Sequence, residues 1–205
     1  MSGHDFPVVS STDIYRGRVL ALRSDQVVMP GGRVATREIT EHTGAVAIAA
    51  VDAHDRIMML HQYRHPVRRR LWELPAGLLD LAGEDPAETA KRELAEEAGL
   101  AATEWSVMLD VVPSPGFSDE SVRVYLARGL TDVGRPDLGS DDEENDMSTR
   151  WMSLPVAVRM VLAGTIVNAV SVAGILAVQA VGVGPGRPSD APWPDRPTRF
   201  ADRTR

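Results

Sequence analysis

The sequence predicts a mixed α/β (α+β) fold, a sheet with helices packed on its faces. Three observations predict it. Strand-like runs dominate the first third and recur after residue 104. One short helix, punctuated at both ends, sits in the middle, and two helical segments follow residue 155. With 205 residues the chain has room for one domain and an extension, and its 43% apolar content supports a sizeable core.

In order, "IYRGRVLALRSDQVVMP" is apolar and β-branched in patches, and Pro30-Gly31-Gly32 is a turn. "RVATREITEH" then alternates, Ala35, Arg37, Ile39 and Glu41 on one side against Val34, Thr36, Glu38 and Thr40 on the other. "GAVAIAAVD" is a short strand of the buried type, and "RIMMLHQYR" returns after a turn at Asp52–Asp55. "WSVMLDVV", "SVRVYLARGL" and "TRWMSL" are further strands. Pro155–Ala163 and Asn168–Val181 read as helices. The tail beyond Gly184 holds five prolines and reads as extended or mobile, with Trp193 and Phe200 able to pin it.

Several function classes drop out. The net charge of −7 points away from general nucleic-acid binding. The chain has no cysteine, which removes disulfides and thiolate chemistry and fits a reducing, cytoplasmic setting. Lys91 is the only lysine, so no G-x-x-x-x-G-K-[ST] phosphate loop exists, and no G-x-S-x-G serine-hydrolase turn occurs. The opening "MSGHDFPVVSS" lacks the charge and apolar run of a secretory signal. Met160–Gly186 contains no charge, but Gly164 and Asn168 divide it into two shorter helices rather than a membrane span.

The central helix concentrates acid. Asp85 is an N-cap, Pro86 suits the first turn, Glu88 completes a D-x-x-E capping pattern, and Gly99 is the stop. Ala87, Ala90, Leu94 and Ala98 form a small apolar stripe. Glu93, Glu96 and Glu97 project together, where like charges three and four residues apart repel. Two explanations are open: a solvated face with charge pairs, or a cage for a hard cation such as Mg²⁺, Mn²⁺ or Ca²⁺. The preceding "LPAGLLD" is too apolar for a surface linker and suits a packed loop whose carbonyl faces a metal. His61 and His65 lie on a strand end, where their spacing separates them, and read as non-ligands.

Gly77, Glu84, Arg92, Glu93, Leu94, Glu96, Glu97, Gly99 and Leu100 together resemble the Nudix box, G-x5-E-x7-R-E-U-x-E-E-x-G-U, with one extra residue between Gly77 and Glu84. The resemblance implies an αβα sandwich around a mixed sheet, preceded here by an N-terminal β-hairpin or strand extension, and hydrolysis of a nucleoside diphosphate linked to another moiety. It implies Glu93 and Glu97 as main metal ligands, with Glu96 and the Ala76 carbonyl assisting, and Glu84 with Arg92 as an orienting pair. "TREITEH", "QYRHPVRRRLWELPAG" and "PSPGFSDESVRVYLA" further resemble the ADP-ribose pyrophosphatase branch, in its actinobacterial form. That likeness implies ADP-ribose as substrate, AMP and ribose 5-phosphate as products, Mg²⁺ (or Mn²⁺) as cofactor, and a homodimer. Other nucleoside diphosphate derivatives, such as sugar nucleotides or oxidised nucleotides, are the alternative substrates, and a non-hydrolytic binding module the remoter one. The implied substrate contacts are Arg37 and Glu38 reaching a dimer partner's adenine pocket, Arg64 lining the adenosine site, Gly77 in the box loop, and Phe117, Ser118, Asp119 and Glu120 near the terminal ribose. In the acidic stretch "SDDEEND", Glu144 is the expected general base and Glu143 the reserve. The expected division is 1–42 as a dimer-forming β extension, 43–183 as the catalytic domain and 184–205 as the tail.

Overall fold

The computed structural model describes residues 3–136, 146–182, 184 and 186–203. In chain order the strands are β1 (Val8–Arg16), β2 (Leu20–Val28), β3 (Val34–His42), β4 (Ala45–Ala50), β5 (Arg56–Arg64), β6 (Arg69–Glu73), β7 (Ala76–Leu78), β8 (Leu100–Val111), β9 (Val122–Asp132), β10 (Ser148–Ser153) and β11 (Arg187–Pro188). The helices are α1 (Pro86–Ala98), α2 (Leu154–Leu162), α3 (Ala169–Val181) and α4 (Arg199–Asp202). They divide between two units, each drawn from separated stretches of chain.

One unit takes the segments up to Gly44, Val112–Ser121 and from Asp195 onward. Its sheet is an antiparallel meander, β1-β2-β3. Gly31 and Gly32 adopt φ of 91° and 84°, and the Met29 amide donates to the Arg33 carbonyl at 2.8 Å, closing the turn the sequence marks. The strand expected to run on from Ile14 is instead broken around Gly17, and its first part reaches back to Val8. All nine residues of β1 are exposed, so it lacks the apolar alternation by which a strand is read. β2 alternates strictly, turning Ala21, Arg23, Asp25 and Val27 inward. The two charges are satisfied locally: Arg23 Nε donates to both Asp25 oxygens at 3.1 Å, and its Nη1 pairs with Glu41, which is 0% exposed. Arg203, just past α4, pairs with Glu41 and Asp13, and Phe200 is buried.

The other unit takes Ala45–Val111 and Val122–Pro194. A mixed sheet runs β11-β8-β9-β4-β7, with β4 parallel to β9 and antiparallel to β7; β10-β5-β6 form a second, antiparallel sheet. β4 is buried along its whole length. Its residues alternate between two cores. Ala45, Ala47 and Ala49 join Leu74, Val124, Ile175 and Val178, whereas Val46, Ile48 and Ala50 join Ala87, Ala90 and Leu94 of α1. Helices therefore cover both faces of this strand, as an αβα sandwich requires. The alanines of α1 bring that helix close to β4 and fix the height of everything it carries.

The uncharged stretch is interrupted as its glycine and asparagine predict. Gly164 has φ 71°, and Asn168 caps α3 by accepting from the Ser171 amide at 2.9 Å. Among the described residues no helix is long and apolar enough to cross a membrane. β7 lies in the stretch expected as a packed loop and is a short strand, as is β6 before it. The tail is pinned by Trp193 and Phe200. Arg123 donates to the Ala191 and Pro192 carbonyls at 2.7 and 2.9 Å, its guanidinium lies 4.7 Å from the Trp193 ring centre, and β11 pairs with β8.

Candidate active site

The site is built on α1 and the strand that packs beside it. Asp85 caps the helix, its side chain accepting from the Ala87 amide at 2.8 Å, and Gly99 ends it at φ 67°. The helix so bounded spans thirteen residues, with Glu93 and Glu97 buried on its inner face at 9% and 5% exposure.

Two contacts bring these carboxylates to the 76–77 peptide. Glu97 Oε2 accepts from the Ala76 amide at 2.8 Å. Glu93 lies where a side chain on residue 77 would be: a Cβ there would stand 2.0 Å from its Cδ. Glycine at 77 is thus a space requirement. Burial of two acids without compensation would be costly, and like charges one turn apart add to the cost. Arg92 offsets it. Its Nη1 donates to Glu93 at 2.7 Å and to Glu96 at 2.9 Å, while Nε and Nη2 reach the two oxygens of Glu84 at 3.4 and 3.3 Å.

Glu84 is held below the usual carboxylate range, first by its hydrogen bonds from Arg92 and next by the Thr89 hydroxyl, which donates at 2.8 Å. Burial works against the Arg92 charge, but the surrounding acids more than reverse this and raise its pKa above the ordinary value. Thr89 is a member of the cluster that sequence reasoning missed; its signal was a hydroxyl one turn after the cap. The extra residue of the box is taken up between β7 and α1, where Glu84 N–H donates to the Leu81 carbonyl and Gly83 adopts φ 83°, and Glu84 still meets Arg92.

Among the described residues no three acids or histidines are gathered tightly enough to enclose an ion. The donor set nevertheless fits a hard divalent cation: buried carboxylates of Glu93 and Glu97 held against one peptide group, with Glu96 adjacent and every candidate donor an oxygen.

Arg64 makes a two-pronged pair with Glu73, Nε and Nη2 donating at 3.1 and 2.8 Å, and Gln62 reaches the same buried acid at 3.4 Å. Glu73 is another residue the sequence did not single out. His61 stacks on Trp72, ring centres 4.4 Å apart.

In the other unit, the loop 117–120 is tied to β3. The Thr40 amide donates to Phe117 O at 2.7 Å, the Asp119 amide to Thr40 O at 3.1 Å, and the His42 amide to Asp119 Oδ1 at 2.9 Å. Ser118 Oγ accepts from the Glu120 amide at 3.1 Å, and Glu120 lies 4.0 Å from His42. Phe117 is exposed. On the same strand Arg37 and Glu38 are exposed, and Arg37 donates to the Thr36 carbonyl. Glu143 and Glu144 lie outside the described residues.

Comparison with known proteins agrees with this geometry. The chain matches the family model described as NUDIX domain over residues 40–168, and that described as nucleoside diphosphate sugar hydrolase N-terminal domain over residues 7–40. It is 56% identical over 205 residues to the ADP-ribose pyrophosphatase of Mycobacterium tuberculosis, covering 99% of this chain and 98% of that one. It is 42% identical over 123 residues to the ADP-ribose pyrophosphatase of Bacillus subtilis, covering 60% of this chain and 66% of the relative. A crystal structure of an ADP compounds hydrolase superposes with a TM-score of 0.73 at 18% identity, over 88% of this chain and 95% of the other, which establishes likeness of fold. With the box glutamates seated on α1, the glycine that admits them and a family match over more than half its length, the chain belongs to the Nudix family.

Proposed function

We infer that this chain hydrolyses the pyrophosphate of ADP-ribose, giving AMP and ribose 5-phosphate. The observation that carries the reading is a complete acidic cluster on α1, seated on the 76–77 peptide, in a chain 56% identical along its length to a protein described as an ADP-ribose pyrophosphatase. Glu93 and Glu97, with Glu96 and the Ala76 carbonyl, would hold Mg²⁺, for which Mn²⁺ can stand in. The ion supplies positive charge that offsets the repulsion between pyrophosphate oxygens and an incoming nucleophile.

The protein's own residues do the rest. Arg92 and Glu84 fix the rotamers of the ligating acids. Glu144, with Glu143 in reserve, takes the proton of the attacking water as its oxygen bonds to phosphorus and the bridging P–O bond breaks. Arg37, Glu38, Arg64, Gly77 and the loop Phe117, Ser118, Asp119 and Glu120 would bind the substrate. We assign 1–42 to a β extension that forms a homodimer, 43–183 to the catalytic domain and 184–205 to the tail. The absence of cysteine supports a cytoplasmic setting.

The test is incubation with ADP-ribose and Mg²⁺, with and without chelator, reading AMP. AMP release that stops on chelation is expected. Glu144→Gln should lower kcat by about 10²–10⁴-fold with KM nearly unchanged, and unaltered turnover would move the base elsewhere. The match of residues 7–40 to a nucleoside diphosphate sugar hydrolase segment favours sugar nucleotides as the second reading. A panel of nucleoside diphosphate sugars run beside ADP-ribose separates the two by kcat/KM.

A further inference from the structure

Arg64 ends β5, opposite Arg69 on β6. Like charges set directly across a ladder repel. The Arg64 guanidinium is instead drawn back along the strand to Glu73, which lies opposite Leu60 in the register. The acid it meets is 2% exposed, and Gln62, at 7%, adds a donor at 3.4 Å. The Arg64 side chain itself is 44% exposed. The pair is lopsided, with an enclosed carboxylate and a guanidinium at the surface. As a device for stability this is poor. Enclosing a carboxylate is costly, a partner half in water offsets little of it, and an apolar side chain would fill the place at less cost. What a two-pronged pair does achieve is to fix the plane and position of the guanidinium.

Its direction is set as well. Alternation along β5 puts Met58, Leu60, Gln62 and Arg64 on one side. Met58 packs in one core with Ala87, Ala90 and Leu94 of α1. The Arg64–Glu73 pair therefore lies on the side of β5 and β6 turned toward the helix that carries Glu93 and Glu97. Glu73 also opens the strip of chain on which those acids rest. After it, the Leu74 amide donates to Ser171 Oγ at 2.9 Å, and the Pro75 carbonyl accepts from the Ile48 amide at 2.8 Å. The Ala76 amide then donates to Glu97, and Gly77 makes room for Glu93. This run of backbone is thus fastened to α3, β4 and α1, and Glu73 stands three residues before Ala76 in it.

We propose that Glu73 is a positioning residue for the hydrolysis: it holds the Arg64 guanidinium against the strip that seats Glu93 and Glu97, and so sets the place of a substrate contact relative to the metal. The proposal rests on the reading of Arg64 as a substrate contact. In it Glu73 acts through the arginine alone and has no contact of its own with metal or substrate.

The experiment measures kcat and KM for ADP-ribose with Mg²⁺ on the full chain, in Glu73→Gln, in Arg64→Ala and in the variant carrying both. Glutamine keeps the shape of the buried side chain and loses its charge. Glu73→Gln is expected to lower kcat/KM by about 10–100-fold, the scale of a small misplacement of a binding group. KM should carry the larger part, and the calorimetric affinity for Mn²⁺ should stay that of the parent. The double variant should show the kcat/KM of Arg64→Ala, because nothing is left for residue 73 to place. Parent kcat/KM in Glu73→Gln, equal fractional losses from Glu73→Gln in both backgrounds, or weakened Mn²⁺ affinity in Glu73→Gln would overturn the proposal. Failure of the underlying reading shows separately, as parent kinetics in Arg64→Ala by itself. If thermal melting shows that Arg64→Ala, which strips a buried acid of its cation, does not fold, Arg64→Lys is read by the same criteria, since lysine keeps the charge and loses the two-pronged donor. Glu73→Asp stands in likewise for Glu73→Gln, its shorter carboxylate drawing the guanidinium off its place.

Discussion

At residue 77 a side chain would stand where the Glu93 side chain now lies. A methyl group would overlap the Glu93 side chain at 2.0–2.4 Å, and a shift of Glu93 to make room would disturb its hydrogen bond from Arg92. Gly77→Ala should therefore abolish calorimetric Mn²⁺ uptake and lower kcat by about 10²-fold, while far-UV circular dichroism stays that of the parent. Asp119 gives a prediction in pH. Burial pushes its pKa up, the His42 amide opposes this, and the nearby Glu41 charge adds to the rise. A carboxyl raised in the folded state stabilises the fold fully below its ordinary pKa of about 3.9, and that contribution is lost as pH rises through the folded value. Asp119→Asn keeps an oxygen for the His42 amide and carries no charge. Its melting midpoint should exceed that of the parent at neutral pH, with the difference vanishing below about pH 4; midpoints that stay equal across that range would contradict this account of Asp119. The box residues could be picked out because they stand at a fixed spacing in the sequence, five of them along one helix. Thr89 and Glu73 were not, because their roles depend on which acid or arginine the fold sets beside them.

At the scale of the element, α1 shows how local signals suffice. Its start at Pro86 and stop at Gly99 follow from an N-cap side chain and a left-handed glycine, both readable without the rest of the chain. Asp85→Ala removes the acceptor of the Ala87 amide and should cost about 1 kcal/mol in urea unfolding. β4 was equally plain, since six consecutive small and apolar residues suit a strand covered on both faces. β1 and β6 were hard to read for the converse reason: their exposed side chains carry no periodic burial signal, and only backbone pairing with β2 and β5 makes them strands. The tail was harder still. Its order comes from Arg123, whose carbonyl partners lie 68 and 69 residues further along the chain, a distance over which periodicity says nothing.

At the scale of the whole molecule, the sheet of β1, β2 and β3 is completed by chain from far away. Residues from Asp195 onward supply Phe200, at 4% exposure, and Arg203, the second cation on Glu41. Removing residues 195–205 should destabilise this unit by about 2–5 kcal/mol, from one lost aromatic side chain and one lost partner of a buried acid. Hydrogen exchange of the β2 and β3 amides would report the loss, and unchanged protection there would show that the meander holds without it. The fully covered acid on β3 has a further implication for synthesis. Arg203 follows Glu41 by 162 residues, so a growing polypeptide displays that carboxylate with one guanidinium in place while most of the protein is still to be made. Only when translation has passed the second arginine can the charge be enclosed from both sides, so the sealing of this patch waits on chain made long after the strand that carries the acid.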